Sequence, residues 1–93
     1  MSQRPRKQIQ PNLGPDKAIG QALREIRLER EMSQEQLAFE CGFDRTYISL
    51  LERGIRSPTV RSLVQLAGVL RVPPSEILQR MEGLLKLSKP PKT

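Results

Sequence analysis

Histidine and tryptophan are absent from this chain, cysteine occurs once, and two phenylalanines and one tyrosine are its only aromatic residues. Each absence removes a class of chemistry. With no histidine and with Cys41 alone, there is no second ligand for the usual metal sets. Nor is there a histidine base for a serine or cysteine nucleophile, or a second thiol for a disulfide. No enzyme, no metal site and no cofactor are expected, and nothing marks a small-molecule ligand. No apolar run approaches the roughly 18 residues of a membrane span, and no basic-then-apolar leader follows Met1. A soluble, cytoplasmic protein with no membrane partner is expected.

What the chain has in excess is positive charge. Its 93 residues carry 16 Lys and Arg against 10 Asp and Glu, a net +6, which favours an anionic partner. The length suits one small domain. Residues 1–15 hold Arg4, Arg6 and Lys7 with no acid, and residues 82–93 hold Lys86, Lys89 and Lys92 against Glu82, so the ends account for five of the six charges. The N-terminal stretch, interrupted by Pro5, Pro11 and Pro15, is expected to be a disordered basic arm. It serves either as a solubilising tail or as an arm that contacts phosphates or a groove. Between the ends, residues 16–40 have four bases and six acids, whereas residues 41–81 have six bases and three acids. The second part should therefore build the positive face.

Helical periodicity runs through this middle segment. Ile19, Ala22, Leu23 and Ile26 follow Pro15-Asp16, with Asp16 as a cap, and predict a helix over about 17–30. Ser33 and Gln36 form a capping box for a second helix that buries Leu37, Ala38 and Cys41 and stops at Gly42. Cys41 on that stripe reads as an inert small core residue. Asp44 offers a third cap, with Ile48 and Leu51 facing inward and Gly54 closing the helix. Pro58 blocks continuation and Thr59 caps a fourth helix with Val60, Leu63, Val64, Leu66, Ala67 and Leu70, the expected centre of the core. Val72-Pro73-Pro74-Ser75 ends it, and Glu76 to about Leu85 predicts a fifth helix. No segment alternates with period two, so the fold class is all-α. The expected divisions are a basic arm over 1–15, a helix-turn-helix domain over 16–81, and a C-terminal helix extension with a basic tail over 82–93.

Two short helices joined by a glycine-containing turn match the helix-turn-helix pattern, whose second helix can lie in the DNA major groove. The run Met32-Ser33-Gln34-Glu35-Gln36-Leu37-Ala38 is followed in order by Gly42, Tyr47-Ile48-Ser49, Leu51-Glu52-Arg53-Gly54, Pro58, Leu63, Leu66-Ala67 and Leu70-Arg71-Val72-Pro73. This series resembles the lambda-repressor-like (Xre/Cro) helix-turn-helix family over about residues 17–81. The resemblance implies a compact five-helix bundle that binds operator DNA, usually as a two-fold dimer on a palindromic site.

By that resemblance, Gln34 at the start of helix two donates to a phosphate, helped by the positive end of the helix. Arg45, Thr46, Ser49 and Leu50 enter the groove. Arg45 either pairs with guanine O6 and N7, worth about 1–3 kcal/mol of discrimination, or settles on a phosphate. Thr46 suits a base or a phosphate, and Leu50 offers only apolar contact to a thymine methyl. Leu50 departs from the polar reader many relatives carry, which shifts specificity toward DNA shape. Ile55 departs from a basic residue, and Arg53 and Arg56 flank it as substitutes that position without reading sequence. Tyr47 either reaches a phosphate through its hydroxyl or packs its ring. Arg27 and Glu52 match an internal ion pair. Met81, Leu84, Leu85 and Leu87 extend the apolar pattern of helix five, either as a homodimer patch or as a C-terminus folded back on its own domain. The leading reading is a small sequence-specific regulator such as a phage repressor or a restriction–modification controller. The alternative is an antitoxin or adaptor that binds a protein partner.

Overall fold

The computed structural model describes residues 13–88, with side chains as far as Lys86. Most of the expected arm, residues 1–12, and residues 89–93 of the expected tail lie outside the described residues. Five helices follow in order: α1 Pro15–Glu29, α2 Gln34–Cys41, α3 Arg45–Glu52, α4 Val60–Leu70 and α5 Pro74–Ser88. Among the described residues there is no strand, and no helix is long and apolar enough to cross a membrane.

Two helix starts differ from the sequence expectation, for one reason. α1 begins at Pro15 with Gly14 as its cap position, and Asp16 sits in the first turn rather than capping it. α5 likewise begins at Pro74 rather than near Glu76. Proline at the first helical position lacks only an N–H that would be unpaired anyway, and its φ already suits the helix. In α2 the capping box closes as the spacing predicts. Ser33 Oγ accepts from the Gln36 N–H at 3.0 Å and Gln36 Oε1 accepts from the Ser33 N–H at 2.9 Å. Gly42 ends α2 at φ +77°, a left-handed conformation that costs glycine little. Asp44 holds the cap position of α3 through its backbone alone, with no side-chain hydrogen bond to the helix.

α1 packs against both α3 and α5, α2 touches α3 and α4, and α4 meets α5. The core is therefore shared among all five helices, with Leu23, Ile26, Leu37, Ile48, Leu51, Leu66, Leu70 and Ile77 fully enclosed. α4 is not its sole centre. Val60 and Val64 are 79% and 52% exposed, because the apolar stripe of α4 is wider than the core can cover. Cys41 is buried, which pushes its thiol up to about 11, with Glu40 adding to the shift. At neutral pH it stays protonated and serves as packing.

Long-range polar contacts tie the bundle together. Arg30 Nε donates to the Leu70 carbonyl at 2.7 Å, capping the C-terminal end of α4, where Arg71 takes φ +63°. Arg80 of α5 pairs with Glu29 and lies 3.6 Å from Glu25 and from Glu76. The Arg80 hydrogen bond holds the Glu29 carboxyl below its ordinary range. These groups are partly exposed to solvent, so the network orients α5 more than it stabilises the fold.

α1 comes directly against the end of α3 at Gly20. A Cβ there would stand well inside contact distance of the Leu51 carbonyl oxygen and 2.9 Å from that of Glu52. Both obstacles are backbone, which cannot swing aside. Gly20→Ala should therefore destabilise the domain by about 1–3 kcal/mol, as overpacking does, despite alanine's better helix propensity. A urea titration reads this as a lowered midpoint. An unchanged or raised midpoint would show that α1 and α3 are free to separate.

Candidate nucleic-acid interface

At 3.6 residues per turn, Arg45, Thr46, Ser49 and Leu50 share one arc of α3, opposite Ile48 and Leu51. The structure places them accordingly. Arg45 and Thr46 are exposed, Ser49 and Leu50 are half-buried, and Ile48 and Leu51 are enclosed. All four expected readers thus face the same side. Arg53, Ile55 and Arg56 are exposed in the segment that follows. This segment is pinned to the last turn of α3, since the Leu50 carbonyl accepts from the Ile55 and Arg56 N–H groups at 3.0 and 3.2 Å. Arg56 is thereby held beside the exposed face of α3.

One buried carboxylate orients α3. Arg27 Nε donates to Glu52 Oε2 at 2.7 Å and Arg27 Nη2 to Glu52 Oε1 at 3.0 Å, with side chains only 7% and 3% exposed. Arg27 Nη1 also donates to the Met32 carbonyl at 2.7 Å. Glu52 Oε1 takes a third donor, the amide of Gln34, at 3.0 Å. Gln34, expected on a phosphate, is thus engaged within the domain through one amide hydrogen at the start of α2. Tyr47 is half-buried and its hydroxyl donates to Ser62 Oγ at 3.1 Å.

Charge is sorted by these pairings. Glu52 is used by Arg27, while Glu25, Glu29 and Glu76 gather around Arg80 on the α1–α5 flank. Arg45, Arg53, Arg56 and Arg61 remain exposed around α3 and the start of α4, with Asp44 as an exposed acid beside them. Lys17 joins this set from outside the sequence expectation. Its Nζ donates to the Arg53 carbonyl at 3.3 Å, and its side chain lies against Gly54. No sequence pattern links residues 36 apart in this way. The candidate dimer residues are split. Met81 and Leu84 are partly buried against the core, Leu85 is half-buried, and the side chain of Leu87 lies outside the described residues. Among the described residues no three His, Cys, Asp or Glu side chains are grouped to hold a metal.

Fold and surface together define a helix-turn-helix protein that presents its second helix to solvent. The family model described as Helix-turn-helix matches residues 23–77, and the chain belongs to this lambda-repressor-like family of DNA-binding transcriptional regulators. It is 47% identical over 61 residues to control protein C.BamHI of Bacillus amyloliquefaciens, a match covering 64% of this chain and 75% of that one. The restriction–modification controller C.AhdI from Aeromonas hydrophila superposes with a TM-score of 0.64 at 41% identity, over 66% of this chain and 92% of that one. The controller C.Esp1396I, solved as a tetramer in complex with its natural 35 base-pair operator, gives a TM-score of 0.71 at 32% identity, over 77% and 95% of the two chains. The protein is a transcriptional regulator of the control-protein or repressor type, a class that does not comprise enzymes.

The Arg27–Glu52 pair makes a direct prediction. Glu52→Ala leaves a buried guanidinium without its counter-charge, which should cost about 3–5 kcal/mol. The double variant Arg27→Met with Glu52→Leu should lose clearly less, because neither charge is then stranded. Urea titration of the three proteins checks this, and a double variant as unstable as the single one would refute it.

Proposed function

We propose that this protein binds a palindromic operator as a homodimer in the cytoplasm, with α3 in the major groove of each half-site. The observation that carries this reading is the common face of Arg45, Thr46, Ser49 and Leu50 on a helix whose opposite side is locked by Ile48, Leu51 and the Glu52 pair. Arg45, at the start of α3, presents the fork that matches guanine. Thr46 and Ser49 add single hydrogen bonds, and Leu50 meets thymine methyls. Phosphate contacts fall to Arg53, Arg56 and Gln34, with Tyr47 at the rim beside Arg56. A primary amide carries two hydrogens, so Gln34 serves Glu52 with one and a phosphate with the other.

Pairing follows from size. A single small module covers only about 600–1,000 Å² of DNA contact, which a second copy on a repeated half-site doubles. The surface offered for that copy is the apolar α4–α5 side. Val60 and Val64 of α4 and Leu78 of α5 are exposed, and Met81, Leu84 and Leu85 follow Leu78 along α5, with Leu87 next in the apolar sequence pattern. Met81 and Leu84 contribute only their outer edges, since they also pack inward. A relative solved as a tetramer on its operator supports assembly of several copies on one DNA.

The readers and the positioners should separate in a binding assay on a selected duplex and on random duplex. Arg45→Ala should lower the preference for the selected duplex by about 1–3 kcal/mol per half-site. Arg53→Ala should weaken both duplexes alike. Equal losses on both duplexes for both variants would remove Arg45 as a base reader.

A further inference from the structure

Tyr47 lies on the flank of α3 between the exposed readers and the enclosed Ile48 and Leu51, and its ring is fixed on three sides. The Phe43 ring meets it edge-on, with centroids 5.1 Å apart and planes at 82°. Its hydroxyl donates to Ser62 Oγ, which also accepts from Thr59 Oγ1 at 3.1 Å. Thr59 Oγ1 in turn accepts from the Ser62 N–H at 3.0 Å as the cap of α4. The phenol is therefore tied to the first turn of the next helix. Over the ring stands the guanidinium of Arg56, its central carbon 5.6 Å from the centroid. The backbone of Arg56 is separately held to α3 through the Leu50 carbonyl.

This geometry bears on how a phosphate contact forms. An exposed arginine carries about 2 kcal/mol of rotamer entropy, much of which is lost when it is fixed on a ligand. A ring face within about 6 Å attracts the cation and removes part of that freedom in advance. The hydroxyl proton of Tyr47 is directed at Ser62, and a phosphate diester offers only acceptors.

We propose that Tyr47 is a positioning residue for DNA binding: its ring, packed edge-on against Phe43, holds the Arg56 guanidinium at the edge of the reading face. Tyr47 acts through Arg56 rather than on the DNA backbone itself. The proposal rests on the DNA-binding reading above and assigns a division of labour within it.

The test is the salt dependence of binding to a random-sequence duplex, which counts phosphate contacts at about 0.9 per contact in the slope of log K against log salt. Arg56→Ala should lower the slope by about 0.9, the value of one contact. Tyr47→Leu, which keeps the cation but frees it, should lower it by part of that amount, and the double variant by no more than Arg56→Ala alone. Tyr47→Phe keeps the ring and should keep both slope and affinity, whereas a phenol that touched phosphate directly would lose affinity on that change without changing the slope, since only cations displace counterions. The proposal is overturned if Tyr47→Phe loses as much as Tyr47→Leu. It is equally overturned if Tyr47→Leu keeps the full slope while Arg56→Ala reduces it, or if Arg56→Ala leaves the slope unchanged. A wild type with no affinity for any duplex would instead defeat the DNA-binding reading and this proposal with it.

A second readout does not depend on Tyr47→Leu folding. The chain has one tyrosine and no tryptophan, so its tyrosine emission and the tyrosine band of its near-ultraviolet circular dichroism report on this ring. Arg56→Ala in the loop should change both signals in the free protein. Identical spectra for wild type and Arg56→Ala would mean that the guanidinium does not rest on the ring, and would overturn the proposal.

Discussion

The arrangement of this domain turns on the carboxylate of Glu52. It closes a two-point pair with Arg27 of α1 and receives the amide of Gln34 from α2, so three helices converge on one side chain of α3. The same Arg27 grips the Met32 carbonyl in the α1–α2 connection. A buried ion pair of this kind adds little net stability compared with apolar packing. Its effect is on geometry, because the fork of arginine and the plane of the carboxylate admit few alignments. The absence of a side chain at Gly20 completes the constraint by letting the α1 backbone come directly against the end of α3. Together, attraction and close approach determine how α3 is presented.

The functional surface follows from that constraint. With Ile48, Leu51 and Glu52 facing inward, the remaining arc of a two-turn helix has room for Arg45, Thr46, Ser49 and Leu50 and little else. Charge reaches the same side by subtraction. Glu25, Glu29 and Glu76 are gathered by Arg80 and Glu52 is taken by Arg27, which leaves exposed arginines around α3 and the start of α4. The net +6 is thus a poor guide by itself, since five of the six charges lie toward the chain ends. The local imbalance around α3 matters more, because exposed charges farther apart than about 10 Å are largely screened at ordinary ionic strength.

Features set by near neighbours are legible in the amino-acid sequence. The Ser33–Gln36 box, the Gly42 turn and the Thr59 cap each involve residues within four positions of one another. The outward face of α3 is legible for a related reason, since helical periodicity alone opposes 45, 46, 49 and 50 to 48 and 51. Periodicity fails where the number of apolar residues exceeds the available core, as at Val60 and Val64, because a stripe does not say which of its flanks will be covered. Nor can it show contacts that exist only after packing. Arg30 on the Leu70 carbonyl, Lys17 on the Arg53 carbonyl and Arg80 among Glu25 and Glu29 join residues 36 to 55 positions apart. Tyr47 stands between these cases: its place at the edge of the face follows from helical spacing, whereas Ser62 beneath its hydroxyl and Arg56 over its ring do not.

The central claim is that two copies of this α3 face read a two-fold symmetric DNA sequence. Selection of bound duplexes from a random pool, using the full chain, tests it most directly. A palindromic consensus should be enriched, with half-sites centred about one helical turn apart, roughly 10 base pairs, or a multiple of that spacing. Recovery of duplexes with no shared sequence, or of a single asymmetric half-site, would contradict it.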